Sequence, residues 1–151
     1  SVLREVDEDE LMQNISLVRE KVNDRAVLRA MHFYAENKRV DAEIAALENG
    51  DFEQFKMLVI ESGRSSYMYN QNVFTASDVE HQGVSLALAM CEYLLAGKGA
   101  WRVHGGGFAG TIQAFVPVDM LSDFCEKIEA VFSNGSCYFL SVRPFGGIKL
   151  F

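Results

Sequence analysis

The sequence predicts an α+β fold with an antiparallel sheet, and three observations support this prediction. The first half of the 151-residue chain carries apolar residues at helical spacing, as in Leu11, Ile15, Val18 and Val22. The second half has short runs rich in β-branched and aromatic residues on either side of a glycine cluster. Helices therefore precede a hairpin, without the strand–helix alternation that builds parallel sheets.

Four helices are expected before the hairpin. The first covers 10–22, with Asp7 and Glu10 as a capping pair, and the second covers 25–48. Gly50 stands just past the second helix, where a glycine commonly ends a helix in a left-handed conformation.

Capping signals also place the next two helices. Asp51 is the expected N-cap of the third helix, with Gln54 at its third position. The capping box Ser77-x-x-Glu80 predicts the start of the fourth helix. Between them, SSYMYNQNV at 65–73 has no clear period and predicts a loop or a frayed helix end.

The hairpin is predicted from GAWRVH and TIQAFVP, the runs that flank the glycines. A further helix is expected over 118–132, a strand in SCYFLSVRP at 136–144, and a short last strand in IKLF at 148–151. The sequence contains no repeat and no interior linker. This predicts one domain over residues 1–151.

Composition narrows the classes of partner. The net charge of −7 and the lack of a basic stripe argue against nucleic acid, because phosphate binding needs clustered Lys and Arg. No apolar run reaches the roughly 20 residues of a membrane span, and the acidic start is not expected to be a signal peptide. Cys91, Cys125 and Cys137 are odd in number and widely spaced, which favours buried thiols, a reducing compartment and a cytoplasmic location.

The stretch WRVHGGGFAG at 101–110 contains G-x-G-x-x-G at Gly105, Gly107 and Gly110. A dinucleotide site needs a helix after these glycines, but TIQAFVP has the composition of a strand. A P-loop needs Gly-Lys-Ser/Thr, and a protein-kinase loop needs a lysine on the following strand. The sequence has neither, so a plain turn and a loop that binds anions through its backbone both remain open.

Three stretches together resemble the galactokinase family of GHMP sugar kinases. GAWRVHGGGFAGTIQAFVP is similar to the family's third motif, whose galactokinase form is close to G-A-R-M-T-G-G-G-F-G-G. RAMHFYAENKRV at 29–40 matches R-A-x-H-x-x-x-E-x-x-R-V, and the stretch 50–66 resembles G-D-x-x-x-F-G-x-L-M-x-x-S-H-x-S-L. His104, Ala109 and Gly63 depart from these patterns, replacing a threonine, a glycine and a histidine respectively.

The resemblance runs from about Arg25 to the C-terminus and covers only the C-terminal part of a galactokinase. It implies a ferredoxin-like α+β core with additional N-terminal helices. It also implies a sugar kinase that uses ATP and Mg²⁺ to phosphorylate a sugar hydroxyl, converting galactose to galactose 1-phosphate. The phosphate loop, the catalytic aspartate and the sugar pocket would come from an N-terminal GHMP kinase domain of the same polypeptide. No catalytic residue is therefore expected in this chain, which alone should be inactive.

The resemblance gives the glycine loop a supporting role beside the nucleotide and sugar. Close approach would be allowed by its glycines, which are Gly105, Gly106, Gly107 and Gly110. Phe108 would fix the loop to its own domain, and His104 is a candidate ligand contact. Two alternatives remain: a non-catalytic module that senses a sugar or nucleotide, and a GHMP kinase for another sugar.

A metal site is not predicted. His32 and Glu36 lie four residues apart on one helix face, but a third ligand is missing. An ion pair of Glu36 with Arg39 or Lys38 is expected instead.

Overall fold

The computed structural model describes residues 2–108 and 110–142. The chain divides into two compact units, 1–117 and 118–151. In the described part of the chain, the elements mix helices with an antiparallel hairpin, as the α+β prediction requires. They are α1 (Glu8–Gln13), α2 (Ile15–Lys21), α3 (Asp24–Glu48), α4 (Phe52–Ser65), α5 (Gly83–Leu95), β1 (Ala100–Val103), β2 (Ile112–Phe115) and α6 (Leu121–Phe132).

The predicted first helix is interrupted at Asn14. Asp7 caps α1 as expected, accepting a hydrogen bond from the Asp9 N–H at 2.8 Å. The Asn14 side chain donates to the Glu10 carbonyl at 2.8 Å, and a side chain that competes for backbone groups in this way favours a break. The helical period therefore continues, but as two short helices.

The boundary between α3 and α4 agrees with the sequence prediction. Gly50 has φ +68°, the left-handed conformation expected after a helix. The Asp51 carboxylate accepts the Gln54 N–H at 3.0 Å and so caps α4.

The prediction of a loop or frayed helix end over 65–73 is wrong for residues 65–70, which are helical, whereas residues 71–73 form no helix or strand. Ser66–Asn70 forms a π-helical turn, closed by a hydrogen bond from the Gln71 N–H to the Ser66 carbonyl at 2.7 Å. Gln71 itself adopts the left-handed region at φ 53°, and Asn72 is buried. Tertiary contacts therefore order a segment that has no periodic pattern of its own.

The predicted start of α5 is also wrong, because the helix begins at Gly83. Ser77 and Glu80 lie in turns before it. The Thr75 and Ser77 hydroxyls are 2.9 Å apart, and the Asp78 carboxylate accepts the His81 N–H at 3.2 Å. These side chains satisfy local turns, which is a use of Ser and Asp that competes with helix capping.

Strands β1 and β2 pair in antiparallel register, with Ala100 opposite Phe115 and Val103 opposite Ile112. Helices α4 and α5 both pack against this hairpin, and α3 packs on α4. The buried apolar residues of the first unit are Leu11, Val27, Ala46, Leu58, Val59, Val73, Cys91, Leu95, Ala100, Trp101 and Val103.

The second unit contains a 3-10 turn at Val118–Met120 followed by α6. No strand forms over the described residues 136–142, so the prediction from SCYFLSVRP is not met there; its last two residues and IKLF lie outside the described residues. The Glu129 carboxylate accepts the N–H groups of Gly135 and Cys137 at 3.0 and 3.3 Å. These two N–H groups are therefore bound to a helix side chain rather than to a strand.

Two further features qualify the sequence predictions. Within the described residues the sheet has two strands, so a complete ferredoxin-like core stays a prediction. Cys91 is buried as expected, whereas Cys125 and Cys137 are only partly buried, and no disulfide joins the three.

No helix in the described ranges is long and apolar enough to cross a membrane.

Gly63 allows α4 to lie close to β1. A Cβ atom at this position would be 3.1 Å from the Arg102 Cα and 3.1 Å from the Trp101 carbonyl oxygen. We expect Gly63→Leu to lower the free energy of unfolding by about 1–3 kcal/mol, the usual cost of overpacking.

Urea denaturation of the variant and of Gly83→Leu tests this expectation. Gly83 is also helical but has open space around it, so its replacement should leave stability nearly unchanged. Equal stabilities of the two variants would contradict the close packing.

Candidate functional site

The glycine cluster forms the loop of the β1–β2 hairpin, in the strand–loop–strand setting that the sequence predicts. At its base the His104 N–H donates to the Thr111 carbonyl at 3.2 Å, and within it the Gly110 N–H donates to the Gly107 carbonyl at 3.0 Å. Gly105, Gly107 and Gly110 have φ values of +61°, +82° and +82°. The loop therefore uses three of its glycines for conformations that other residues rarely adopt.

Gly107 is the point at which the loop contacts the rest of the first unit. It is buried, and a Cβ atom there would lie 2.0 Å from the Asn72 carbonyl oxygen and 2.9 Å from the Asn72 Cγ. Phe108 was expected to anchor the loop, but it is 58% exposed, so that expectation is wrong. The backbone of Gly107 makes the fixing contact, because only glycine leaves room for it.

The other described residues of the loop are exposed to solvent. His104, Gly105, Gly106 and Gly110 are exposed, and nothing lies within 4 Å of a Cβ built at any of these three glycines. The His104 imidazole makes no hydrogen bond within the described residues and lies beside the loop. It therefore remains a candidate ligand contact.

Glu36 is the centre of a second polar group, formed by α3, α4 and β1. Its carboxylate accepts the Ser62 hydroxyl at 2.5 Å, lies 3.3 Å from the Arg102 guanidinium and forms an ion pair with Arg39. Burial alone would raise the pKa of Glu36, but the Ser62 hydrogen bond and the charges of Arg102 and Arg39 outweigh it and lower the pKa. The predicted Glu36–Arg39 pair is confirmed, while Lys38 instead pairs with Glu8.

His32 lies beside this group. Its Nδ1 is 2.9 Å from the Ser65 hydroxyl oxygen, and burial is the main cause that lowers its pKa. The positive charges of Arg39 and Arg102 lower the pKa further, whereas Glu36 opposes them. His32 and Glu36 thus each contact a serine of α4, and no group of three His, Cys, Asp or Glu side chains suited to a metal occurs in the described ranges.

Sequence reasoning did not identify three buried side-chain oxygens that have no hydrogen-bond partner among the described residues, one of which is the Ser85 hydroxyl. The Glu43 Oε1 and the Asn72 Oδ1 are buried without a hydrogen-bond partner among the described residues, and burial raises the pKa of Glu43. Glu43 follows Glu36 by seven residues on the same helix, a spacing that signals a shared face. No sequence signal marks Asn72, because its burial depends on the turn at 66–70.

The three stretches that carry the family resemblance are thus in contact. His32 and Glu36 of the first meet Ser65 and Ser62 of the second, and Arg102 of the third meets Glu36. The glycine loop continues from the same strand as Arg102. This arrangement presents exposed backbone on a rigid support, which suits the binding of an anion better than acid–base chemistry.

Comparison with known proteins gives one consistent result. The chain is 27% identical to a galactokinase of Glaesserella parasuis, over 85% of this chain and 30% of that protein. It is 30% identical to a galactokinase of Enterococcus faecalis, over 86% of this chain and 33% of that protein. A galactokinase of Canis lupus familiaris is 27% identical, over 95% of this chain and 34% of its own length.

The chain therefore spans about a third of the length of the curated relatives it matches. Neither a family model nor a solved structure matches it. The similarity is to sugar kinases, and it is distant and partial.

The structure explains one departure from the family pattern. Gly63 stands where the pattern has histidine, and its closeness to the Arg102 and Trp101 backbone leaves no room for an imidazole unless β1 moves. The serines on either side of it in the pattern, Ser62 and Ser65, keep their contacts with α3.

The lowered pKa of His32 predicts a pH-dependent stability. The unfolded chain binds a proton near the ordinary histidine pKa of about 6.5, whereas the folded chain binds it only at lower pH. His32 therefore destabilises the fold progressively as the pH falls below about 6.5 toward its folded pKa. We expect His32→Gln, which cannot titrate, to reduce the loss of stability between pH 7.5 and 5.5.

Urea midpoints measured across this range test the expectation, with His104→Gln as the control because His104 is exposed. An unchanged pH profile in His32→Gln would show that protonation of His32 is not coupled to unfolding.

The glycines of the loop should differ in their tolerance of alanine. Gly105→Ala should cost about 1–2 kcal/mol, because its φ is left-handed but its surroundings are open. Gly107→Ala should cost more, since a clash with the Asn72 carbonyl adds to the same strain. Gly106→Ala should cost least, because its φ is not left-handed and its surroundings are open. The free energies of unfolding of the three variants measure this order, and a loop that tolerates all three equally would contradict it.

Proposed function

We propose that this chain is the C-terminal domain of an ATP-dependent, galactokinase-like sugar kinase. In this proposal the complete polypeptide transfers the ATP γ-phosphate to a sugar hydroxyl, forming galactose 1-phosphate from galactose. The observation that carries the proposal is the contact among the three family-like stretches, at His32–Ser65, Glu36–Ser62 and Glu36–Arg102. These contacts join residues that are distant in sequence and that belong to three different family-like stretches. The galactokinase similarities over 85–95% of the chain support the same conclusion.

The glycine loop would support the nucleotide site. Among the described residues, the N–H groups of Gly105, Gly106 and Gly107 make no hydrogen bond, and no side chain covers the first two. Such a backbone fits a phosphate group, because N–H donors approach an anion most closely where Cβ atoms are absent. Phosphoryl transfer depends mostly on positioning and charge neutralisation, so a loop without catalytic side chains is a useful part of such a site.

Other parts of the reaction would come from an N-terminal GHMP kinase domain of the same polypeptide. The described residues offer no cluster of three acidic or histidine ligands, so Mg²⁺ would be held by that domain and by the ATP phosphates. The same domain would provide the catalytic base and the sugar pocket. A cytoplasmic location, where ATP and sugars are available, belongs to this proposal.

A second candidate function is a kinase for a different sugar. His104 favours it, because an exposed imidazole replaces the threonine of the galactokinase pattern directly beside the loop. A module that senses a sugar or nucleotide without turnover would use the same loop as a binding surface.

The proposal is tested with a full-length polypeptide that contains this chain, incubated with ATP, Mg²⁺ and a panel of sugars. We expect galactose-dependent ADP release, and no turnover by residues 1–151 alone. Gly107→Ala should lower kcat/KM at least about tenfold, since a misplaced loop loses transition-state contacts worth about 1.4 kcal/mol or more.

Gly83→Ala is the matched control, because Gly83 lies in α5 with open space around it. Turnover with another sugar alone would select the second candidate, and ATP or sugar binding without turnover would select the sensing module. Full activity of Gly107→Ala would contradict the role of the loop.

A further inference from the structure

Asn72 is 4% exposed, and its side-chain oxygen is buried without a hydrogen-bond partner among the described residues. A buried amide oxygen that accepts no hydrogen bond has given up its water without compensation, which costs about 1–3 kcal/mol. Nearly all buried polar groups in proteins have partners, so an exception of this kind calls for a donor close by.

The nearest loop segment carries such donors. A Cβ atom at Gly107 would be 2.9 Å from the Asn72 Cγ, so the Asn72 amide group lies close to the backbone of Gly107. The N–H groups of Gly105, Gly106 and Gly107 make no hydrogen bond to the described residues. Among the described residues, a buried acceptor without a donor thus lies close to a segment whose three N–H groups, at 105–107, have no acceptor.

The backbone directly before Asn72 is held by two arginines of α3. Arg29 donates to the Asn70 carbonyl at 3.2 Å, and Arg25 donates to the Gln71 carbonyl at 3.4 Å. The left-handed Gln71 then turns the chain directly before Asn72. Two arginines of α3 therefore hold the segment that carries the amide.

We infer that Asn72 is a positioning residue for the glycine loop: when phosphate occupies the loop, the Asn72 Oδ1 accepts a backbone N–H from the segment 105–107. This inference rests on the proposed function, because it takes the triphosphate of ATP as the ligand. The amide oxygen is below the surface and does not touch the ligand. It holds one N–H of the loop, so that the remaining N–H groups point toward the phosphate.

Nuclear magnetic resonance of the full-length polypeptide tests the hydrogen bond directly. A through-bond coupling from a loop glycine nitrogen to the Asn72 Cγ should appear on addition of ATP and Mg²⁺. The exchange rate of the same amide should fall at least about fivefold, the factor that corresponds to one net hydrogen bond of about 1 kcal/mol.

Asn72→Leu removes the acceptor at similar volume. Because the oxygen has no hydrogen-bond partner among the described residues, the variant should fold with unchanged or higher stability. Its ATP dissociation constant should be about fivefold larger, and it should lose the protection of the loop amide. Asn70→Leu is the matched control, since the Asn70 main-chain carbonyl makes the contact with Arg29 and survives the substitution.

The outcomes separate the inference from the proposed function. ATP binding by the wild type without the coupling, or equal ATP affinity of Asn72→Leu and the wild type, overturns the inference alone. Absence of ATP binding in the wild type overturns the proposed function and the inference with it. An equal loss of affinity in Asn70→Leu assigns the effect to the turn as a whole and also overturns the role of Asn72.

Discussion

The Glu36 carboxylate ties three elements of the first unit together. It lies on α3, accepts a hydroxyl from α4 and faces a guanidinium from β1. A half-buried charge is costly unless each of its oxygens is compensated, so the three elements must keep their distances for the charge to be tolerated. The interaction adds little net stability by itself, but it selects one arrangement of α3, α4 and β1 over alternatives that would leave the charge unpaired.

The position of the glycine loop depends on this arrangement of α3, α4 and β1. Arg102 contacts Glu36, and two residues later the chain leaves β1 at His104 and enters the loop. Asn72, which lies against Gly107, follows the turn that ends α4, and arginines of α3 bind the carbonyls of the two residues before it. The loop is thus supported at its base by β1 and along its backbone by Asn72, and both supports trace back to the same pair of helices.

Local structure could be predicted from the sequence where a single side chain decides it. Gly50 and Asp51 define the boundary between α3 and α4 because a left-handed residue and a capping carboxylate act within a few residues. Ser77 is also a capping residue by type, but the helix start predicted there is wrong. Its hydroxyl contacts Thr75 in a turn and does not cap a helix. A capping pattern shows what a residue is able to bind, and the neighbouring turn decides what it does bind.

The candidate site could be predicted in part, and the limit lies in contacts between distant segments. The pattern of glycines predicts an open loop between two strands, and the structure agrees. It does not predict that Gly107 lies against Asn72, because that contact depends on the course of the chain after α4. Phe108 shows the same limit: an aromatic residue in a loop favours packing, but Phe108 is 58% exposed.

The turn at 66–70 makes the position of Asn72 depend on the number of residues in this segment. Its closing hydrogen bond spans five residues, from Gln71 to Ser66, where an α-helix would span four. Deletion of one residue there would restore the α-helical register and rotate the following backbone by about 100°. Asn72 would then no longer face the loop, and Gly107 would lose the neighbour that requires it to be glycine. Within this segment, the number of residues is as strict a requirement as their identity.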